Sequence, residues 1–333
     1  MSATGGNMFQ RLALLLIATQ LAVVAGPGWA ADAETRYPNR PVRLITGSTG
    51  GASDHIARLV AQRLSERWHQ QVVVDNRSGR AGIMGSEIVA KSVPDGYTLA
   101  VGLAGTHAAP QFLYKSLAYD PVKDFAPVTL LSSTGIALVV HTSVPVRDAA
   151  EFVAYARSKS GGVNYASAGT GTTSQLAAEL FNQMTRATLV HVPYRAAGLA
   201  LNAVIGNETQ SGFVAVSSAT PHVAAGRLRA LAVLSDKRLQ AAPQIPSTVE
   251  AGLPAVNASV WTGLFAPART PKPIINAIHR EVVAILALPE TRDALTATGA
   301  EPMPTTPEAF ARFLDAEIIK WGKVIKTAGL KAE

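Results

Sequence analysis

A two-lobed α/β fold, with parallel or mixed sheets joined by a hinge over a cleft, is the architecture this sequence predicts. Three observations predict it. From Tyr37 onward, short β-branched runs alternate with segments of helical periodicity. A strand, a glycine-rich turn and a helix follow one another twice, as "VRLITGSTGGASDHIARL" and as "VNYASAGTGTTSQLAAEL". Finally, a single strand pattern, "SVWTGLFAP", comes late and only helices follow it. One strand cannot build a sheet alone, so it is expected to return to the first.

Ahead of this pattern lies a leader. Arg11 precedes "LALLLIATQLAVVAG", an apolar run of export-signal length, short of the roughly 20 residues a membrane span needs. The small residues of "GPGWAADA" offer cleavage after Ala30 or after Ala33, and Met8 offers an alternative start. Residues 1–30 are therefore expected to be removed, leaving a soluble mature chain.

Beyond the leader, residues 42–46 read as a buried strand. Ile56, Leu59, Val60 and Leu64 then recur at helical spacing. Residues 71–75 form the next strand, "GIMGSEIVAKS" a short helix, "PDGY" a tight turn and 97–102 a third strand. The second series has strands near 128–131 and 137–141, a helix over 148–158, and the second strand–turn–helix unit. A strand over 189–194, a helix near 199–205, "GFVAV" and a strand over 228–235 complete it. A proline-rich stretch after Pro243 leads to the returning strand and to helices over 273–287, 290–298 and 307–328. One lobe is thus expected at 37–125 plus 240–333 and the other at 126–239, joined by two crossings that make a hinge.

Composition narrows the function. The chain has no cysteine, which excludes disulfides, thiolate metal sites and a lipid anchored on cysteine. Thirty Lys and Arg against 23 Asp and Glu give +7, or +6 once Arg11 leaves with the leader. These bases are scattered, without the basic blocks and interleaved aromatics of a nucleic-acid surface, so no nucleic-acid partner is expected. A diffuse positive field instead draws anionic small molecules.

The two glycine turns are the candidate site. In the first, Gly50 and Gly51 let backbone approach a ligand, Ser53 or Asp54 can cap the helix, and Ser48 and Thr49 add hydroxyls. In the second, Thr172, Thr173 and Ser174 hold the matching place. Free amides at a helix start attract anions, by about 0.3–1 kcal/mol for each such interaction. Neither turn carries a phosphate-binding pattern of G-x-x-x-x-G-K-[ST] or G-x-G-x-x-G. Thr106 and His107 follow the third strand, at the carboxyl edge where open α/β sheets bind ligands. Tyr194 and Arg195 end a strand of the second lobe, and Arg195 is the natural partner for a carboxylate, or else a solvated surface side chain. His191 reads as a core-edge strand residue and Trp261 as packing. The seven histidines lack metal-site spacing, so no metal or cofactor is expected.

Taken in order, "YPNRPVRLI", "GGASDHIARLVAQRLSER", "VVVDNRSGRAG", "PDGYTLAVG", "AGTHA", "YDPVKDFAPVTLL", "SAGTGTTSQLAAELF", "VHVPYR", "PHVAAGRLRALAV", "GLFAPARTP" and "WGKVIKTAGL" resemble the Bug-type extracytoplasmic solute receptors, the binding components of tripartite tricarboxylate transporters. The resemblance implies a bilobal, type II-like periplasmic binding protein, monomeric, closing on a small carboxylate and delivering it to membrane permease subunits. It also extends the binding role over Gly50, Gly51, Ala52, Ser53 and Asp54, over Thr106 and His107, and over Ala168, Gly169, Thr170, Gly171, Thr172, Thr173 and Ser174. Departures from the family pattern include a first turn without proline, Ser78 and Arg80 in "NRSGRAG", Gln175 where histidine is frequent, Arg195–Ala196 in place of Lys-Gly, and Gln210 where an aspartate is common. Two other readings stand beside transport. One is a ligand-loaded subunit of a signalling receptor. The other is an exported hydrolase or transferase, for which only the oxyanion donors are found.

Overall fold

Three parallel strands at one end of a long sheet set the frame for the first turn. The computed structural model describes residues 37–47, 52–77, 79–254 and 256–331. The chain divides into two compact units, Met1–Asn39 and Arg40–Glu333, and the strands and helices of the described residues belong to the second. Strand β1 (Val42–Thr46) leads to helix α1 (Ala52–Trp68), which turns Ile56, Val60 and Leu64 inward on the expected repeat. Strand β2 (Val72–Asn76), a single 3-10 turn (Gly79–Gly82), helix α2 (Ile83–Ala90) and strand β3 (Thr98–Gly102) follow. These strands pair in the order β2-β1-β3, with Val42 opposite Val72 and Leu44 opposite Leu99. Two short helices come next, α3 (Ala104–His107) and α4 (Pro110–Leu113).

Strand β4 (Phe125–His141) runs unbroken where the residue pattern expects two strands. The hydroxyl-rich Ser132–Gly135 stretch hides the continuity, because its side chains find partners in the sheet. Ser132 and Thr262 hydroxyls meet at 2.9 Å. Downstream come helix α5 (Ala149–Ser158), capped by the Asp148 carboxylate accepting from the Glu151 amide at 2.8 Å, and strand β5 (Val163–Ser167). Helix α6 (Thr173–Thr185), strand β6 (Leu189–Pro193), helix α7 (Ala197–Ile205), strand β7 (Ser211–Ala215), helix α8 (Val216–Ala224) and strand β8 (Leu228–Val233) continue the alternation. Strand β9 (Ser259–Pro267) does return, antiparallel, between β3 and β4. Helices α9 (Lys272–Ala287) and α10 (Pro289–Ala297), the short strand β10 (Ala300–Pro302) and helix α11 (Pro307–Ala328) close the chain.

The strand order is β2-β1-β3-β9-β4-β7-β5-β6, with β8 and β10 also paired to β4. The first part of β4, through Gly135, pairs with β9, and the part from Ile136 pairs with β7 and β8. One strand therefore serves both halves of the sheet. The chain crosses back where the Leu234 amide donates to Ile136 O at 2.8 Å and the Ala258 amide to Leu234 O at 3.1 Å. A shared apolar core joins Phe265, Phe310 and Trp321 with Phe152, Phe181 and Phe213. Trp261 does pack, and its indole N–H donates to Glu317 Oε2 at 2.7 Å. Trp321 donates to the same oxygen at 2.7 Å, while Lys320 pairs with Oε1.

Candidate functional site

Described residues at or just beyond the carboxyl ends of β1, β3 and β5 come together in one region. Of the first-turn residues read from the sequence, Ser48, Thr49, Gly50 and Gly51 lie outside the described residues, as does the leader. Ala52 opens α1, and Ser53 and Asp54 are buried in its first turn. Asp54 is tied sideways: its Oδ1 accepts from Asn76 Nδ2 at 2.8 Å and meets Arg58 Nε at 3.1 Å. Arg58 also donates to Asn76 Oδ1 at 2.9 Å. These bonds join α1 to the end of β2 and offset the carboxylate charge.

Close glycine contacts define what stands beside this turn. A Cβ on Gly47 would fall 2.5 Å from Gly82 Cα, and one on Gly82 would fall 3.1 Å from Thr106 Cγ2. Gly82, at φ 94°, starts α2 in a conformation that side chains resist. The exit of β1, the start of α2 and Thr106 therefore share one place. Gly47 and Gly82 escape sequence reasoning because a glycine's role in close approach has no side-chain signal.

Thr106 and His107 sit together on α3. The Thr106 hydroxyl accepts from the Leu103 amide at 3.0 Å and lies 2.8 Å from His107 Nδ1. His107 is fully buried, stacked on Phe265 at 4.0 Å and edge-on to Phe125 at 4.6 Å, with no partner for Nε2 among the described residues. Burial drives its pKa down to about 3, so the ring is neutral. The structure places it in the aromatic core that supports α3, with no surface toward a ligand.

The second turn comes up against this same helix. A Cβ on Gly105 would stand 3.5 Å from the Gly171 carbonyl oxygen, and one on Gly171 would stand 2.8 Å from Leu113 Cδ1. Gly169 and Gly171 hold φ values of 120° and 77°, the left-handed region that glycine adopts freely. The turn is braced by its own side chains. The Ala168 amide donates to Ser174 Oγ at 3.0 Å, the Gly169 amide to Ser167 Oγ at 3.0 Å and the Gly171 amide to Gln175 Oε1 at 2.7 Å. Thr172 Oγ1 donates to Gly169 O at 2.6 Å and meets Ser174 Oγ at 3.0 Å. Thr172 gives no side-chain cap to α6. The amides of Thr173, Ser174 and Gln175 consequently start the helix without an acceptor among the described residues. They stand at the positive end of a 13-residue helix dipole.

Thr170 is exposed beside them, and Thr173 is buried. Tyr194 braces the turn through its backbone, its amide donating to Ser167 O at 2.9 Å, while its hydroxyl donates to Glu208 Oε2 at 3.2 Å. Arg195 is exposed and has no ion pair among the described residues. Ser167, Gln175 and His191 brace this turn in a way the residue pattern does not announce, since Ser167 and His191 meet across the β5–β6 pair and Gln175 reaches His191 from α6. No three His, Asp or Glu side chains among the described residues stand within reach of a common metal ion. A separate cavity of about 290 Å³ opens where Gly135, Ser259 and Glu317 meet, away from both turns. What the described residues of the site offer is neutral amide donors backed by a helix dipole.

Known proteins are similar to this chain in sequence and fold. The family model described as "Tripartite tricarboxylate transporter family receptor" matches residues 56–330. Protein BugT of Bordetella pertussis is 32% identical over 98% of this chain and 99% of its own. Among solved structures, Rpa4515 of R. palustris with adipate is 35% identical at TM-score 0.81, covering 89% of this chain and 99% of that one. MatC of Rhodopseudomonas palustris with bound malate is 33% identical at TM-score 0.77, covering 87% and 100%. With a family model over most of the chain, near full-length similarity to relatives and a shared fold in agreement, the chain belongs to the tripartite tricarboxylate transporter receptor family of periplasmic solute-binding proteins.

Proposed function

We propose that this protein captures a small organic carboxylate between two lobes, 37–125 with 240–333 and 126–239, and delivers it to the permease subunits of a tripartite tricarboxylate transporter. It works in the periplasm as a monomer, after loss of its leader, and binds its ligand without turnover. The observation that carries this reading is the approach of Gly105 on α3 to Gly171 in the second turn, beside the acceptor-free amides of Thr173, Ser174 and Gln175. Relatives solved with adipate and with malate, both carrying two carboxylates, support the ligand class. One carboxylate would take the first turn, with Ser53 and the residues ahead of it, and the other the start of α6. No helix among the described residues is long and apolar enough to cross a membrane, which fits a receptor handing its cargo to separate permease chains.

A thermal-shift screen of refolded protein against mono-, di- and tricarboxylates, amino acids and neutral amides tests this. A ligand at about 100 times its dissociation constant adds roughly 2.7 kcal/mol of stability. An acid should raise the melting point, and Ser53→Arg or Thr173→Arg should abolish the shift. Stabilisation by neutral compounds alone overturns the carboxylate reading. The mass of the exported chain should place its first residue at Ala31 or Glu34.

A further inference from the structure

Gln175, 2% exposed, carries out two hydrogen-bonding tasks at once. The Gly171 amide needs an acceptor and finds Gln175 Oε1 at 2.7 Å, which fixes the amide's orientation. Its other end, Nε2, is a donor and faces His191 Nδ1 at 3.1 Å. A donor facing Nδ1 requires a lone pair there, so the proton of the neutral ring is on Nε2. Nε2 lies 2.6 Å from Ser167 Oγ and donates to it. Ser167 Oγ also accepts from the Gly169 amide at 3.0 Å and passes its own proton toward Gly169 O at 3.3 Å. Each of these bonds joins one donor to one acceptor, and all of them run in a consistent direction.

We propose that Gln175 and His191 are positioning residues of the second turn, holding the Gly171 amide through a directional relay that exists only while His191 is neutral. Protonated His191 sets an N–H at Nδ1 against the Gln175 amide N–H. Turning the amide over relieves that contact and sets its NH₂ against the Gly171 N–H. One end is left unpaired either way, in a buried position where that is costly. Gly171, at positive φ, then loses the bond that fixes it, while the Ser167–Gly169 bonds keep their sense because Nε2 carries a proton in both states.

The surroundings of His191 favour the neutral ring. Tyr165 of β5 stacks on it at 5.1 Å, and the Tyr165 hydroxyl donates to Glu179 Oε1 of α6 at 2.7 Å. The carboxylate on that side is thus engaged by the phenol and does not pair with the imidazole. Burial lowers the His191 pKa from its ordinary value. The relay is therefore complete at and above neutrality and is lost as pH falls through the folded-state value. Because β6 ends the strand order, His191 is half-buried and can take up a proton from solvent. The importance of the relay for binding rests on the carboxylate reading, but its existence does not.

The test is nitrogen-15 NMR of the unliganded protein, reading the His191 tautomer, its titration, and the exchange protection of the Gly171 amide relative to its intrinsic rate. The expected result is an Nε2–H tautomer at neutral pH, with Gly171 protection falling about tenfold or more as His191 titrates. In Gln175→Glu the carboxylate accepts from both Gly171 N–H and a protonated Nδ1–H. His191 should then titrate at higher pH than in the wild type, with Gly171 staying protected throughout. In Gln175→Leu, Gly171 protection should be low at every pH; if that variant does not fold, Gln175→Glu decides. An Nδ1–H tautomer at neutral pH, an unmoved His191 midpoint in Gln175→Glu, or Gly171 protection indifferent to His191 overturns the proposal. No ligand is added, so failure here is distinguishable from failure of the carboxylate screen.

Discussion

Replacing Gly105 by valine should weaken ligand binding far more than it weakens the fold. A Cβ at this position would lie 3.3 Å from Leu103 Cδ1 and 3.5 Å from the Gly171 carbonyl oxygen. Those are tight but tolerable contacts, so Gly105→Ala should bind nearly as the wild type does. Valine adds two methyls about 1.5 Å further out, and at least one must enter the space of Leu103 or of the Gly171 carbonyl. Overpacking of this kind costs about 1–3 kcal/mol. The share of that cost set by the Gly171 carbonyl arises only in arrangements in which α3 touches the second turn, and the proposed opening of the lobes would relieve it. Affinity should therefore fall by about 5- to 150-fold, while the urea midpoint of the unliganded protein moves little. Titration calorimetry with the tightest acid from the panel, alongside urea denaturation, measures both quantities. Gly198→Ala on α7 is the matched control: nothing lies within 4 Å of its added Cβ. It should leave affinity unchanged and add up to about 1 kcal/mol of stability. Unaltered affinity in Gly105→Val, or a loss that merely tracks lost stability, would refute closure of the turn onto α3.

Two further predictions concern stability. Glu317→Leu leaves the indole N–H groups of Trp261 and Trp321 without their shared acceptor. At about 1–3 kcal/mol for each buried unpaired donor, it should lose about 2–6 kcal/mol by urea denaturation. Glu317→Gln keeps one carbonyl oxygen and should lose less, and the reverse ranking would sink the argument. His107→Phe should remove an acid-sensitive component of stability. The folded-state pKa near 3 lies below the ordinary value of 6.5, so the neutral ring's contribution is full above about pH 6.5 and declines toward pH 3. The decline has a slope of at most about 1.4 kcal/mol per pH unit. Urea midpoints of the variant across that window should fall less steeply than those of the wild type, and parallel curves would count against a neutral buried His107.

The elements most legible in the sequence are those with a long repeat or an apolar run. The pattern for the last helix, over 307–328, coincides with Pro307–Ala328, and "SVWTGLFAP" with Ser259–Pro267. The return of that strand to the first sheet follows from a counting argument about lone strands, and β9 pairs with β3 as that argument requires. Helices α3 and α4 are hidden because four residues are too few to show a period. Strand β4 is cut in two on paper because Ser132, Ser133 and Thr134 look like a turn until Thr262 and Glu301 are set against them. The candidate site divides in the same way. The two turns are visible as glycine and hydroxyl clusters between strand and helix. That His107 faces inward is not visible, since the residue after Thr106 could point either way on a helix of unseen length.

Gln175 shows why the second turn resists reading residue by residue. Taken singly, Ser167, Ser174 and Gln175 look like donors waiting for a ligand. In the structure all three face inward, accepting from the Gly169, Ala168 and Gly171 amides. The hydroxyls and glycines that attract attention in the sequence are thus largely the scaffold of the turn. The groups left for an anion are the first amides of α6, which every helix possesses and no sequence pattern marks. A site of the proposed kind would recognise charge and shape through many weak, fixed dipoles. Arg195, the one side chain with an obvious electrostatic claim on a carboxylate, stands exposed at its margin. Removing Arg195 should accordingly slow ligand capture at low salt more than it weakens the bound state, since an exposed charge acts mainly by steering. Stopped-flow measurement of Arg195→Gln at two ionic strengths distinguishes the cases. A faster off-rate with an unchanged on-rate would instead place Arg195 against the bound ligand.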